Sequence, residues 1–256
     1  MAGVSITGLS KSYMVGKNRF FALKGLDLFL PEHSFTAVVG KSGSGKTTLL
    51  RLLCGLEQQS GGRIEFSRGE DAGLTSPKRV GIVFQEPRLM PWLTVRENIA
   101  FSLGKEKDDP GKRERVEGCI RLLGLKEFAD AYPSQISGGM AQRAALGRVL
   151  TYDPDVILMD EPFGALDYFT RKNLQKEMVE LFLSQRKTFV FVTHDVEEAV
   201  YLSQKVVVLD EGRMVGEYAV DLPYPRQTSS PRFLAIRDKI YDTIMNGQTD
   251  PAVRAV

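Results

Sequence analysis

A glycine-rich loop between a buried strand and a helix constrains the fold of this chain more than any other feature. Gly40–Thr47 reads GKSGSGKT and fits the pattern G-x-x-x-x-G-K-[ST] at every position. The apolar run Phe35–Val39 precedes it, as in a strand buried on both faces. Lys46–Leu56 follows it, with leucines at helical spacing. This order of strand, loop and helix predicts a phosphate-binding site.

The residue types in the loop suit a polyphosphate. Glycines let consecutive backbone N–H groups converge on phosphate oxygens. Lys46 supplies a positive charge to the outer phosphates, and the Thr47 hydroxyl is a ligand for Mg²⁺. A glycine-rich turn without a ligand would not require Lys and Thr at these two positions. The predicted binding residues are Gly40, Lys41, Ser42, Gly43, Ser44, Gly45, Lys46, Thr47 and Thr48.

Hydrophobic patterning outside the loop predicts an open α/β sheet, because short strands alternate with helices. Strands are predicted at Val4–Leu9, Leu23–Leu30, Arg63–Phe66, Val80–Phe84, Val156–Met159, Phe189–Val192 and Val206–Leu209. Helices are predicted from a Thr94 cap through Leu103, at Arg115–Leu123, after Ser137–Gly139, at Tyr168–Leu183 and at Val196–Leu202. Residues 87–152 are mostly helical and are expected to form an inserted subdomain.

The tail, residues 221–256, has a pattern of its own. Phe233, Ile236, Ile240 and Ile244 fall at helical spacing after a proline-containing segment. A membrane-surface helix and a helix packed on the protein's own core are the two interpretations. We expect packing on the core, because the polar side of the helix carries both charge signs.

Composition excludes several classes of protein. With 34 basic and 32 acidic residues the net charge is only +2, so we expect no nucleic-acid partner. Cys54 and Cys119 lie in apolar helical patterns and are predicted to be buried thiols. Only two histidines occur, His33 and His194, which argues against a His/Cys metal cluster. The first residues lack the pattern of a signal peptide, and no apolar run approaches the roughly 18 residues of a membrane span. We expect a soluble protein whose membrane role, if any, is through a partner.

A second acidic element follows the strand Val156–Met159. Asp160 and Glu161 then lie at the carboxyl edge of the sheet, where ligands of open α/β sheets bind. Asp160 is suited to hold Mg²⁺, and Glu161 to polarise an attacking water near the terminal phosphate. An acidic strand end that merely faces solvent is the other interpretation, and these two residues alone do not decide between them.

Further motifs follow in a fixed order, and together they resemble the nucleotide-binding subunits of ABC transporters over nearly the whole chain. Residues 137–143, SGGMAQR, resemble the signature motif of that family. Asp160-Glu161-Pro162 follows, then Ala165-Leu166-Asp167 resembles the D-loop. Residues 192–195, VTHD, resemble the switch-histidine segment, and Gln85 occupies the place of the Q-loop glutamine. The resemblance implies an α/β P-loop ATPase over residues 1–220, with a RecA-like core sheet, flanking helices and an antiparallel β subdomain.

The resemblance also implies roles for these residues. Gln85 would sense Mg²⁺ and the attacking water from a mobile loop. His194 would contact the terminal phosphate and position it against Glu161, whereas a lone histidine at a strand end is otherwise most often a hydrogen-bonded edge residue. An aromatic residue would stack on adenine: Tyr13 has the family's position, and Phe20 and Phe21 are competitors.

A second anion site is expected at Ser137, Gly138 and Gly139, because this turn opens a helix. Two phosphate sites on one chain suggest that two chains share each ATP, as in the head-to-tail dimer of the family. The partner would be a second copy of the chain or a paralogous ATPase subunit. Asp167 would then lie at the seam of the dimer.

The segment Gln85–Trp92 corresponds to the family's contact with the membrane subunit. Pro87 and Pro91 stiffen it, and Trp92 is either a core residue or an interface residue. Together with residues 162–167, PFGALD, it resembles importers for nitrate, sulfonates and taurine. Implied partners are permease subunits and, indirectly, a solute-binding protein, with the chain peripheral on the cytoplasmic face of the membrane.

The chain departs from the family pattern at three residues. Ile136 and Met140 replace the usual Leu and Gln of the signature, but both leave its backbone turn possible. His33 occupies a turn position where Gly is frequent.

Two rival functions are considered. A soluble ABC-type ATPase acting on nucleic acid or ribosomes is one rival, which the charge balance does not support. A small-molecule P-loop kinase is the other, and it leaves Ser137 and His194 unexplained.

Overall fold

A computed structural model describes residues 3–67, 79–164 and 166–246 of the 256-residue chain. The strands are β1 (Gly3–Val15), β2 (Asn18–Pro31), β3 (Phe35–Val39), β4 (Gly61–Ser67), β5 (Val80–Val83), β6 (Val156–Asp160), β7 (Thr188–Val192), β8 (Lys205–Asp210) and β9 (Arg213–Ala219). The α-helices are α1 (Lys46–Leu53), α2 (Val95–Ala100), α3 (Pro110–Leu122), α4 (Gly138–Tyr152), α5 (Tyr168–Ser184), α6 (Val196–Leu202) and α7 (Pro231–Asn246). Short 3₁₀ segments lie at Phe101–Asp108, Lys126–Phe128 and Pro133–Gln135. The chain divides into two compact units, Met1–Lys78 with Arg186–Val256, and Arg79–Gln185.

The first unit holds two β layers. One is an antiparallel sheet in the order β2-β1-β4. In the other, β3 lies between β7 and β8 and is parallel to both, while β9 pairs antiparallel with β8. All residues of β3 and β7 are buried, and the Phe35 ring lies 5.1 Å from Phe189 and 5.5 Å from Phe191. Because β3, β7 and β8 are parallel, their carboxyl ends meet at one edge, which is where the phosphate loop begins.

The tail helix α7 packs on the first unit itself, as expected. It contacts α6, β8 and β9, and Phe233 and Ile240 are fully buried. Thr243 is hydrogen-bonded to the Tyr218 hydroxyl of β9. The apolar stripe read from the sequence is therefore a core-facing stripe.

The second unit combines the parallel pair β5 and β6 with a helical cluster. Helices α2, α3 and α4 contact one another. Thr94 caps α2 through the predicted capping box: its hydroxyl accepts from the N–H of Glu97, whose carboxylate accepts from the N–H of Thr94. The cap fixes the start of α2, which the sequence placed correctly.

Several helix ends differ from the sequence prediction. The first helix stops at Leu53 rather than Leu56, because Gly55 adopts a positive φ of 72° that ends it. Helix α2 stops at Ala100, and Leu103 lies in the following 3₁₀ segment. The third helix begins at Pro110 rather than Arg115, since Asp109 caps it and Pro is tolerated in the first turn.

One other expectation is wrong, and one open alternative is decided. Cys119 is buried as predicted, but Cys54 is only half-buried, because it sits where α1 ends. Trp92 is 69% exposed, so it is not a core residue.

His33 has a positive φ of 57°, in keeping with the glycine-like turn position inferred for it.

Among the described residues, no helix combines the length and the apolar character that a membrane crossing requires.

Candidate functional site

The phosphate loop has a backbone that only glycine suits at two points. Gly40 has a φ of 153°, and a Cβ there would lie 2.1 Å from the carbonyl oxygen of Leu209. Gly45 has a φ of 102°, and a Cβ there would lie 2.5 Å from the carbonyl oxygen of Ala22. The loop is therefore pressed against β2 and β8, and larger residues would displace it.

Lys46 and Ser44 give the loop the chemistry of an anion site. The Lys46 ammonium donates to the carbonyl oxygens of Gly40 (2.8 Å) and Lys41 (2.9 Å), so it crosses the mouth of the loop. Ser44 Oγ is buried and makes no hydrogen bond with the described residues. Gly45 precedes α1 without a side-chain cap, in contrast to the caps Ser137 and Asp167 of α4 and α5. A cation, an unsatisfied buried hydroxyl and an uncapped helix start fit a phosphate.

His194 lies at the same edge as the phosphate loop. Val38 of β3 pairs with Val192 of β7, so Gly40 and His194 each follow two residues beyond the paired positions. The N–H of Thr193 donates to the Val38 carbonyl oxygen at 3.2 Å, which extends the pairing past the end of the strand. His194 itself is exposed. The first unit thus brings the loop and the predicted switch histidine together.

Tyr13 is fixed by a polar cluster that the sequence did not reveal. Its hydroxyl is hydrogen-bonded to the carboxylate of Glu57, and the Lys11 ammonium lies 3.1 Å from that carboxylate and 4.9 Å from the Tyr13 ring centroid. Thr48 hydrogen-bonds the same phenol. Phe20 faces Tyr13 across the β1–β2 ladder and is 54% exposed. Of these two aromatic residues, Tyr13 is the one whose ring is fixed by polar contacts.

The pKa values of this pair keep the bond intact at neutral pH. Burial and the hydrogen bond to Glu57 raise the pKa of Tyr13. Burial acts to raise the pKa of Glu57 as well, but the hydrogen bonds from Tyr13 and Lys11 outweigh it and lower that pKa. The phenol therefore keeps its proton while the carboxylate is ionised.

In the second unit, Asp160 and Glu161 end β6 in two different environments. Asp160 is buried, with 7% of its surface exposed, whereas Glu161 is partly exposed. Glu161 has a φ of 45°, a region that non-glycine residues seldom occupy. Its carbonyl oxygen accepts from the N–H of Gly164 at 3.2 Å, which closes a tight turn. The Glu161 side chain therefore starts from a tight turn directly after a buried strand.

Helix α4 holds the segment that carries Gln85. Because Val83 of β5 pairs with Met159 of β6, Gln85 and Glu161 both follow at the carboxyl edge of that pair. The Gln142 amide donates to the Phe84 carbonyl oxygen at 3.2 Å. The Arg148 guanidinium donates to the carbonyl oxygens of Pro87 and Arg88, each at 3.1 Å, and its burial lowers its pKa. The spacing of the motifs gave no sign of these contacts.

The signature and D-loop residues also meet within the second unit. Ser137 caps α4 by accepting from the N–H of Met140 at 3.3 Å, so the replacement at residue 140 leaves the turn intact. A Cβ on Gly139 would lie 3.0 Å from a methyl carbon of Leu166, the residue before Asp167. Asp167 caps α5, and its hydrogen bond from Thr170 lowers the pKa of its carboxyl group. Ala165 of the predicted D-loop lies outside the described residues.

The described residues contain no cluster of three or more His, Cys, Asp or Glu side chains that could hold a metal ion. The predicted magnesium ligands are a hydroxyl, an amide and a single carboxylate, Thr47, Gln85 and Asp160. Such a sparse set suits Mg²⁺, which retains waters and takes substrate phosphates as ligands.

The buried strand β3, the phosphate loop and helix α1 define a P-loop protein. Residues 23–164 match the model of the ABC transporter family. The chain is 43% identical to an uncharacterised ABC transporter ATP-binding protein of Methanocaldococcus jannaschii, over 94% of this chain and 91% of that protein. The chain therefore belongs to the ABC transporter family, and it is an ATP-hydrolysing member.

Three further similarities bear on function. The chain is 41% identical to the aliphatic sulfonates import ATP-binding protein of Rhodopseudomonas palustris, over 96% of this chain and 85% of that protein. It is 40% identical to the Bacillus cereus protein of the same description, over 95% and 96% of the two chains. Its fold matches a dimeric, post-hydrolysis structure of the ATP-binding cassette MJ0796 bound to ADP and Pi, with a TM-score of 0.74, 30% identity and coverage of 86% and 100%.

Proposed function

We propose that this chain is the ATP-binding and ATP-hydrolysing subunit of an importer for aliphatic sulfonates or a related small anion such as taurine or nitrate. The observation that carries the proposal is the phosphate loop, with Lys46 across its mouth and His194 at the same sheet edge. The sulfonate-import relatives, similar over nearly their whole length, support the class of solute. The rival functions in nucleic-acid or ribosome transactions gain no support from these similarities.

The proposed roles follow the chemistry of each group. The loop residues 40–48 bind the phosphates of ATP, and Thr47, Asp160 and Gln85 hold Mg²⁺, which when bound neutralises phosphate charge. Glu161 accepts a proton from the attacking water, and His194 contacts the terminal phosphate. The buried position of Asp160 and the partial exposure of Glu161 support this division between metal holding and water activation.

We further propose that a second copy, or a paralogous subunit, completes each ATP site through Ser137, Gly138 and Gly139. Ser137 caps α4, and the close approach of Gly139 to Leu166 links the signature turn to Asp167. The dimeric cassette structure with ADP and Pi, which shares the fold, supports this arrangement. Asp167, exposed at the start of α5, is assigned to the dimer seam.

A groove on the second unit is proposed to bind the permease at the cytoplasmic face of the membrane. The groove encloses about 700 Å³ and is lined by apolar residues that include Trp92, Leu93, Phe101 and Val116. Arg96 pairs with Glu117 at the same groove, so charged groups flank the apolar floor. An amphipathic helix of a membrane partner matches such a groove, and a solute-binding protein would join the complex through the permease.

Replacing Trp92 with alanine is expected to weaken permease binding without unfolding the chain, because the side chain is 69% exposed. A tryptophan that acts as a binding hot spot contributes about 2 kcal/mol or more, which is ~30-fold in affinity. Co-purification with the permease and transport in reconstituted vesicles measure the effect. Met245→Ala, a residue 72% exposed on α7, is the matched control. Unchanged co-purification of Trp92→Ala contradicts the assignment of the groove.

Tyr13 is proposed to stack on adenine, since Glu57 and Lys11 hold its ring in place. Tyr13→Ala is expected to weaken ATP binding by about 1–3 kcal/mol, or ~5- to 150-fold, while Tyr13→Phe retains most of the affinity. Phe20→Ala, which removes the aromatic ring opposite Tyr13, should leave affinity nearly unchanged. Titration with a fluorescent ATP analogue measures all three. The reverse result for Tyr13 and Phe20 assigns the base to Phe20.

The proposed solute is tested with the assembled transporter. The Glu161→Gln chain is used to capture the membrane partners and the associated binding protein. That binding protein is titrated with an alkanesulfonate, taurine and nitrate, and each ligand is added to the reconstituted wild-type complex while ATP hydrolysis is followed. Stimulation by the alkanesulfonate, or by one of the related anions, supports the proposal. Stimulation by none of the three anions refutes the solute class.

A further inference from the structure

A buried arginine joins the tail to the helix that follows His194. Arg226 is only 7% exposed, and its hydrogen bonds run to backbone carbonyl oxygens. The guanidinium donates at 2.6 Å to Val200, at 2.5 Å to Ser203 and at 3.2 Å to Val220. It also donates to Leu222 of its own segment at 3.1 Å. We call the segment Leu222–Arg226 the strap.

The strap satisfies the carboxyl end of α6. The last four carbonyl groups of a helix have no partner within it. Here Val200 and Tyr201 accept from Arg226, Leu202 accepts from the hydroxyl of Tyr224, and Ala199 accepts from Ser203. The cation at this end also complements the helix dipole. Arg226 and Tyr224 therefore act as a side-chain cap on α6.

The opposite end of α6 carries His194. Asp195 caps the helix by accepting from the N–H groups of Glu197 and Glu198, at 2.8 and 3.2 Å. Thr193 donates to the buried carboxylate of Glu198 at 2.8 Å and accepts from the N–H of Asp195 at 3.0 Å. His194 is thus held between two residues that are both bonded to the first turn of α6.

Helix α6 is too short to be stable by itself. It has seven residues, whereas isolated helices below about 12–15 residues are marginal in water. Its position depends on packing against β3, β8 and α7 and on the cap at each end. Because the helix has only two turns, a shift of its carboxyl end displaces the turn that holds Thr193 and Asp195. The strap and His194 are therefore coupled through one small helix.

We propose that Arg226 is a positioning residue for ATP hydrolysis, which fixes His194 by capping α6. The inference rests on the proposed role of His194 at the terminal phosphate. Arg226 does not touch the nucleotide; it acts through the carbonyl groups of α6. Two residues of the tail, Tyr224 and Arg226, then contribute to turnover through α6.

The experiment is a double-mutant cycle in the full-length chain, with kcat and KM for Mg-ATP hydrolysis as readouts. Arg226→Gln is expected to lower kcat by roughly 10- to 100-fold, the effect of displacing a catalytic group by about 1 Å, with KM within about twofold. In a His194→Ala background the same substitution should cost less than about twofold, because the group it positions is gone. Arg213→Gln, which removes an arginine bonded to the Lys24 carbonyl oxygen, is the matched control and should leave kcat unchanged.

The results of the double-mutant cycle distinguish a positioning role of Arg226 from a structural one. Equal losses from Arg226→Gln in both backgrounds overturn the inference, since a merely structural role is independent of His194. Normal kcat in His194→Ala alone overturns the proposed role of His194 first, and the inference with it, so the two failures are distinguishable. If Arg226→Gln does not fold, Tyr224→Phe removes one hydroxyl bond to α6 and takes its place in the cycle. A smaller loss that vanishes without His194 supports the inference, and an additive loss overturns it.

Discussion

Replacing Glu161 with glutamine is expected to lower ATP turnover by ~10²–10⁴, the range for loss of a positioned acid or base. Glutamine has the same shape, but its amide oxygen cannot take the proton of the attacking water. The turn after β6 should persist, because it is closed by the backbone bond between Glu161 and Gly164. ATP binding should remain near normal while the dimer accumulates. Phosphate release at saturating Mg-ATP measures turnover, and gel filtration with ATP measures accumulation of the dimer.

The chain supplies a matched control for this substitution. Glu211 also follows an aspartate at the end of a strand, and its φ of 44° nearly equals the 45° of Glu161. Its carboxylate is 85% exposed and faces Lys24 at 4.0 Å. Glu211→Gln should leave turnover unchanged, because its carboxylate faces solvent. Near-normal turnover in Glu161→Gln would remove Glu161 from the mechanism.

The parts of the fold that are local in sequence could be predicted from it. The strand Phe35–Val39, the loop and the start of the following helix appear where the pattern placed them, since burial of a parallel strand leaves a continuous apolar run. The Thr94 capping box is equally local, because its two partners are three residues apart. In such segments the side chains that decide the structure are neighbours along the chain.

Helix ends and weak strands were harder to predict, for physical reasons. The start of α3 depends on Asp109 and Pro110, which precede the apolar positions that carry the periodicity. Strand β9 was not predicted at all. Its residues have mixed burial, and it is stabilised by antiparallel pairing with β8 and by contact with α7. Those partners are tertiary, so the intrinsic preference of the segment was not decisive.

The site divides in the same way. The residues proposed to contact ATP are carried by short motifs, and the sequence named them. The residues that hold these motifs in place are far away in sequence: Glu57 lies 44 residues from Tyr13, and Arg148 lies 61 residues from Pro87. Their contacts are made to backbone carbonyls or to a single hydroxyl, which impose no recognisable spacing. Only the folded chain reveals them.

Replacing Lys46 with alanine is expected to weaken ATP binding itself, in contrast to Glu161→Gln. Lys46 is 7% exposed and lies across the mouth of the loop, with its ammonium on the carbonyl oxygens of Gly40 and Lys41. Removing one partner of a buried charge pair typically costs about 2–5 kcal/mol, which is roughly 30- to several-thousand-fold in affinity. Isothermal titration with ATP in the presence of Mg²⁺ measures the loss.

The control for this substitution must separate the loss of a phosphate contact from the loss of a lysine that braces the backbone. Lys205 donates to the Phe29 carbonyl oxygen at 3.1 Å and pairs with Glu217, but it starts β8 at the opposite edge of the sheet from the loop. Lys205→Ala should therefore lower the unfolding temperature of the chain without changing its affinity for ATP. If Lys46→Ala retains wild-type affinity, the loop does not bind phosphate through this residue. If both variants lose affinity equally, the effect is on folding, and binding by Lys46 is unsupported.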